Sequence, residues 1–341
     1  MSGTPIPVGA NPEVRIGPAD VGRRVSVRRI EAAVEPATGR ASFRDVIGVL
    51  TTWNDHELIV VARDRSETRI PVNRLVAGKV VPLFPARPAP LPAVDPVELQ
   101  RVAARGWPAV EQQPLGEWTL RASAGFTRRA NSAQALGDPG LPLPRALERV
   151  RAWYAERELP AWIEVTVPGS PTELAAELDR LGAHHSPTLV RTAPLAALAR
   201  AGRSGQGERV RLSRTADAGW LSVYRRSSGD PAQERAAQQV LHGGPSVWFA
   251  AVPDPGGAAP LAIGRCVIDG PWACFAAVEV RPEARRQGLA TALMAVLAAR
   301  AAEEGARGAY LQVEAGNSGA LTLYDGLGFT TSHTYHYARL P

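Results

Sequence analysis

A mixed α/β fold preceded by a small all-β unit is predicted by three features of the sequence. Short runs of β-branched and apolar residues, broken by turn residues, fill 13–81; strands alternate with amphipathic helices from 97 onward; and prolines cluster between the two. The length of 341 residues exceeds what one hydrophobic core usually fills, so several folding units are expected. With 45% hydrophobic and 21% charged residues, the chain is neither wholly disordered nor collagen-like.

No apolar run approaches the roughly 20 residues of a membrane helix. The stretch MSGTPIPVGANPE also lacks the basic start and apolar core of an export signal. A cytoplasmic protein without a membrane partner is therefore expected. Cys266 and Cys274 are too few for a disulfide framework or a four-ligand zinc site, and they fall on neighbouring predicted strands where they would face each other. The net charge of +6 raises the question of nucleic acid. Because Lys79 is the only lysine among 39 basic residues and the arginines are scattered, composition rather than a phosphate-binding patch accounts for that charge.

In the first segment, strands are predicted at 25–30, 43–52, 58–62 and 68–72, with a tight turn at 54–56. Four or five short strands in so few residues point to an SH3-like β barrel over 1–81, since closure removes exposed edges. Prolines 82, 85, 88, 90, 92 and 96 make 82–96 a semi-rigid linker. The second segment, 97–198, has strands at 118–121, 162–167 and 188–192 and helices at 144–157 and 171–181, the last with Ser170 as its cap. ARAGRSGQG (199–207) is read as a linker, because a phosphate loop must leave a strand and open a helix. The third segment, 208–341, has strands at 210–213, 247–252, 261–268, 272–280, 310–314 and 329–340. Helices are predicted at 218–225, 231–241, 287–304 and 318–327.

The stretch VEVRPEARRQGLAT (278–291) runs from a strand through a turn into the longest helix. Unpartnered amides at a helix start, with the helix dipole, favour a bound phosphate. Gly288 and Ala290 leave room for close backbone approach, and Arg285 and Arg286 add charge. The order Val280, Pro282, Arg285, Gly288, Ala290 resembles the diphosphate loop of the GNAT superfamily of acyl-CoA-dependent N-acyltransferases. Downstream, Asn317, Ala320, Leu323-Tyr324 and Leu327-Gly328-Phe329 match that superfamily's second motif.

This resemblance implies tandem GNAT-fold units: a degenerate one over 97–198, which lacks R-x-x-G-x-A, and an acetyl-CoA-binding catalytic one over 208–341. It implies acetyl-CoA held by Val278, Val280, Arg285, Arg286, Gln287, Gly288, Leu289, Ala290, Thr291, Asn317, Ala320 and Tyr324. An amine attacks the thioester directly, with Tyr324 as general acid and Glu279 or Glu314 as base; Gln312 stands where some relatives carry a glutamate. Arg121, Arg128, Arg129 and Asn131 are the candidates to hold a small acceptor by its carboxylates.

The whole arrangement resembles an actinobacterial GNAT family that includes proteins assigned as N-acetylglutamate synthases, which makes the α-amine of glutamate or another amino acid the leading acceptor. A mycothiol-synthase-like transferase, a protein or peptide N-acetyltransferase, and an acyl-CoA sensor or adaptor without turnover are the competing readings. No metal is expected: His184 and His185 lack partners at ligand spacing, and His333 and His336 fall out of phase on the last strand.

Overall fold

The computed structural model describes residues 14–34, 41–62, 66–81, 91–181, 187–201, 206–224, 230–257 and 259–341. They divide into one unit reaching to Arg87 and a second beginning at Pro88. Residues 82–90 of the proline-rich segment, the pair His184-His185 and residues 202–205 lie outside the described residues.

In the first unit, β1 (Arg24–Val34), β2 (Ala41–Trp53), β3 (Glu57–Val61), β4 (Glu67–Pro71) and β5 (Leu75–Val80) form an antiparallel sheet in the order β4-β3-β2-β1-β5. Alternation sends Val25, Val27, Leu58, Val60 and Ile70 inward, where all are fully buried. Asn54 makes the predicted β2–β3 turn, its Oδ1 accepting from the amides of His56 and Glu57 at 2.9 Å each.

The second unit opens with α1 (Pro96–Gly106), a helix that escapes the sequence reading. Asp95 caps it, accepting from the amides of Val97 and Glu98. Then follow β6 (Glu111–Leu115), β7 (Trp118–Ala122), β8 (Ala133–Gln134), α2 (Leu143–Ala155), β9 (Trp162–Val167), α3 (Thr172–Arg180), β10 (Thr188–Pro194) and α4 (Leu195–Ala201). The remaining elements are β11 (Arg211–Ser213), α5 (Ala218–Val223), α6 (Pro231–His242), β12 (Ser246–Val252), β13 (Ala262–Asp269), β14 (Trp272–Val280), α7 (Leu289–Glu303), β15 (Gly308–Glu314), α8 (Ser318–Gly326) and β16 (Thr330–Arg339). Ser170 does not cap α3: its hydroxyl donates to the Ala135 carbonyl and accepts from the Thr166 amide, and Pro171 occupies the cap position.

All eleven strands of this unit join one mixed sheet, β11-β12-β13-β14-β15-β10-β16-β9-β8-β7-β6. The order contains an internal repeat. β6-β7-β8-α2-β9-α3-β10 follows the same path as β12-β13-β14-α7-β15-α8-β16, each with one parallel pair, β8 with β9 and β14 with β15. The final strands are exchanged: β10 pairs with β15, and β16 pairs with β9. Each half therefore completes its sheet with a strand from the other, and the two central strands pair with each other.

Helices cover both faces. On one, α1, α5 and α6 bury Leu99, Trp107, Trp220 and Val240 against Phe249, Tyr310 and Tyr335; on the other, α4 and α7 bury Leu198, Leu293 and Leu297 against Phe275 and Leu311. Cys266 belongs to the second cluster and Cys274 to the first, because Cys266 opposes Phe275 and Val267 opposes Cys274. The two thiols sit on opposite faces of the sheet, which corrects the expectation that they meet. No described helix is long and apolar enough to cross a membrane.

Candidate functional site

The sheet opens where β14 and β15 part. Their parallel pairing runs from Trp272–Gly308 to Phe275–Leu311 and goes no further. At that point the β13–β14 register shifts, and Ala277 adopts φ +50, a left-handed conformation unusual for a residue with a Cβ. The bulge turns 276–280 away from 312–314, so main-chain groups that would otherwise complete a ladder face a cleft.

The chain leaves β14 through a 3-10 turn at Pro282–Ala284 and enters α7 by way of Arg286 (φ +61) and Gly288 (φ +76). α7 begins two residues later than the periodicity of 287–304 predicts, because these left-handed residues end the turn. No side chain caps the helix, so its first amides have no internal partner. A Cβ placed on Gly288 would meet nothing within 4 Å: the space in front of the helix start is open.

A cavity of about 970 Å³ fills this cleft. Of the residues proposed from sequence for the donor, Val278, Val280, Arg285, Arg286, Gly288, Leu289, Ala290, Thr291, Asn317, Ala320 and Tyr324 line it, whereas Gln287 does not; its side chain folds back to the Glu283 carbonyl. Arg281 is an addition that the motif reading missed. It lines the cavity while bonding Asp254 and the Ala259 carbonyl, which ties the 253–261 loop to the cleft. Asn317 has a structural duty as well, capping α8 by accepting from the Ala320 amide at 3.1 Å.

A second cavity, about 550 Å³, adjoins the first. Its walls include Arg128, Arg129, Glu279, Gln312, Glu314 and Tyr324, with Tyr224, Phe275, Tyr335 and Tyr337 as aromatic surface. Val278, Glu279, Asn317, Ala320 and Tyr324 line both cavities. Tyr324 is half-buried on α8 and meets Phe329 edge-on at 5.7 Å; burial pushes its phenol up to about 12. The tyrosines at 335 and 337 were missed by the sequence reading, although their period-two spacing on one strand puts them on one face.

Of the four residues expected to hold an acceptor, the structure brings only Arg128 and Arg129 to this cavity. Arg128 lies over Trp162 and Tyr337. Asn131 is buried and organises the loop that carries them: its Oδ1 accepts from Ser123 and Gly125 amides, and its Nδ2 donates to Phe126 and Thr127 carbonyls. Arg121 points into the core, where its Nη2 meets Glu164 at 2.8 Å and Ser132 Oγ at 2.8 Å. A fork so occupied, 3% exposed, has no free donor face for a ligand.

Glu164 anchors a buried polar network. It accepts from Gln100, Gln134 and Arg121, and these partners hold its carboxyl below the usual carboxylate range although burial opposes this. Gln100 in turn meets His333 Nε2 at 3.1 Å. Burial pushes the His333 imidazole down to about 4, with Glu164 pulling the other way. In the unfolded chain the ring takes up a proton near pH 6.5 that the folded chain refuses until about 4, so stability is lost as pH falls through that window. Urea unfolding between pH 7 and 4 is expected to show a loss of about 3 kcal/mol from this group. His333→Gln should remove that part of the slope, and an undiminished slope would show that another group titrates. Among the described residues, no cluster of three or more His, Cys, Asp or Glu is placed to hold a metal ion.

At the β8–α2 junction, Pro142 occupies the cap position and Pro144 the second helical position, so one of the first-turn backbone donors is missing there, whereas the first turn of α7 contains no proline.

The family described as "Probable histone acetyltransferase Rv0428c C-terminal" matches residues 97–338. The chain is 26% identical over 246 residues to the uncharacterized N-acetyltransferase YobR of Bacillus subtilis (strain 168), covering 70% of this chain and 96% of that protein. It is 30% identical over 205 residues to the probable histone acetyltransferase Rv0428c of Mycobacterium tuberculosis (strain ATCC 25618 / H37Rv), spanning 60% of each. The solved structure of a GCN5-related N-acetyltransferase from Kribbella flavida aligns with a TM-score of 0.50 at 19% identity, over 72% of this chain and 95% of that one, a likeness of fold.

Proposed function

The chain is a GNAT acetyltransferase belonging to the family described as probable histone acetyltransferase Rv0428c C-terminal, and on that premise we propose that its two adjoining cavities receive acetyl-CoA and a small amine. GNAT acetyltransferases draw the acetyl group from acetyl-CoA. The observation that carries the assignment is the shared wall: Glu279 and Tyr324 border both cavities, so a group entering from each side meets at the same side chains.

In the donor cleft, the open amides of Leu289, Ala290 and Thr291, with Arg285 and Arg286 beside them, hold the pyrophosphate. The edge of β14 at Val278 and Val280, beyond the end of its pairing with β15, takes the pantetheine arm. An amine held in the second cavity attacks the thioester carbonyl; the new C–N bond replaces C–S, the amine's proton goes to a carboxylate or water, and Tyr324 gives its proton to the departing thiolate. Glu279 lines both cavities and Glu314 only the second, which favours Glu279 as base. Positioning of the two reactants supplies much of the acceleration.

The α-amine of glutamate or another amino acid is the acceptor that the paired arginines Arg128 and Arg129 fit best. The first unit we assign as an SH3-like barrel accessory to the catalytic one, and we keep 97–198 and 208–341 as the degenerate and catalytic repeats, joined by the strand exchange.

Thiol release from acetyl-CoA across a panel of amino acids, aminated metabolites and a histone-tail peptide tests the reading. Turnover with an amino acid supports it, turnover confined to the peptide assigns a protein acceptor, and calorimetric binding of acetyl-CoA without any turnover makes the chain a sensor. Gly288→Val places a branched side chain in the cleft at a left-handed position. A loss of at least about tenfold in acetyl-CoA affinity is expected from a lost contact or two of ordinary strength, together with a fall of a few degrees in the unfolding midpoint from the roughly 1–2 kcal/mol cost of a branched residue in the left-handed region. Undiminished affinity would move the diphosphate elsewhere.

A further inference from the structure

Trp107 carries two guanidinium groups, Arg129 with its Cζ 4.3 Å and Arg265 with its Cζ 5.0 Å from the ring centre. Among the described residues neither pairs with a carboxylate. Arg265 is fully buried and spends its donors on the main-chain oxygens of Gly106, Val240, Leu241 and Gly243. Arg129 differs: it lines the acceptor cavity, and its Nη1 donates, at 3.0 Å, to the amide Oε1 of Gln312.

Glu164 borders a small void of about 10 Å³ together with Arg129 and Gln312, yet its oxygens are engaged by Arg121, Gln100 and Gln134. A positive charge without a paired anion thus stands at the Arg129 wall, while Glu279 and Glu314 line the same cavity. A cavity with both signs of charge on its walls matches a molecule that is itself a zwitterion.

The residue that preserves this polarity is Gln312. A neutral amide oxygen orients the guanidinium and leaves its charge uncancelled; a carboxylate at the same place would form a charge-assisted pair and occupy the fork. We infer that Gln312 is a specificity determinant that keeps Arg129 available for the carboxylate of an α-amino acid whose amine faces Glu279 and Glu314. This rests on the second cavity being the acceptor site. It also accounts for the absence of a carboxylate at 312, which serves recognition rather than proton transfer.

The test uses the full chain with a panel of L-amino acids and their α-carboxamides, glutamate and its α-amide first, measured by thiol release and by calorimetric titration into protein saturated with CoA. The wild type is expected to favour the acid over the amide by about 10- to 100-fold, the worth of one charged hydrogen bond. Gln312→Glu should erase that preference through a raised KM for the acid, with KM for acetyl-CoA unchanged. Gln312→Leu, which removes the hydrogen bond without adding charge, should keep the preference whatever its overall rate, and Arg129→Met should lose it. Equal treatment of acid and amide by the wild type, no binding of any acid, or a preference that survives Gln312→Glu overturns the inference. Binding of the acid that is lost in Gln312→Glu and in Arg129→Met but leads to no acetyl transfer in the wild type would leave the inference standing and remove the proposed reaction instead.

Discussion

Tyr324→Phe is expected to lower kcat by about 10²- to 10⁴-fold, the usual worth of a positioned general acid, while calorimetric affinity for acetyl-CoA stays the same. The phenylalanine keeps the edge contact with Phe329 and the packing of α8 and loses only the hydroxyl. Burial holds the phenol up to about 12, so it keeps its proton across neutral and mildly alkaline pH, the form that the proposed acid role requires. For the same reason the wild-type kcat should not fall on the alkaline side before about pH 11. The helix that presents this tyrosine is held from the other half of the sheet: Arg191 on β10 pairs with Asp325 at 2.7 Å and donates to the Phe329 carbonyl. Unchanged kcat in the variant would take Tyr324 out of the acid role, and a parallel fall in acetyl-CoA affinity would make it a wall of the donor cleft instead.

Arg265→Met should be the most damaging single change to stability. The Arg265 side chain is 0% exposed and ties the ends of α1 and α6 to β13 through four main-chain oxygens. Carbonyls at helix C-termini carry partial negative charge, which is what offsets the burial of this cation in place of a carboxylate. Burial still pulls the guanidinium down to about 10, and it remains charged at neutral pH. Methionine fills the volume and leaves those oxygens without donors, a loss of about 3–5 kcal/mol and a fall in Tm on the order of 10 °C. A fall of only a degree or two in scanning calorimetry would show that water or neighbouring amides replace the guanidinium.

What was legible in the sequence is local. The helix start behind Gly288, the cap of α8 at Asn317, the Asn54 turn and the alternation of β1 and β3 are each written in residues a few positions apart, because backbone geometry there depends on immediate neighbours. Eleven of the residues lining the donor cavity are named by the resemblance to the GNAT motifs; Gln287 turns away from it, and Arg281 together with Ser222, Val223 and Ala259 from other segments is not named by those motifs.

Arg121 and Arg129 could not be told apart by sequence. They share a residue type and lie eight positions apart, yet one is locked to Glu164 on β9 and the other opens on a cavity beside Gln312 on β15. The partner strand of β10 was likewise undetermined, since an alternating strand satisfies its hydrogen bonds equally well beside β9 or β15. The sequence by itself determined most of the helices and strands, though neither α1 nor the first residues of α7, and that an open helix start follows β14. The tertiary structure alone decided which charges meet, how the two halves interlock and how the second cavity acquires its polarity, because those outcomes depend on contacts between residues far apart in the chain.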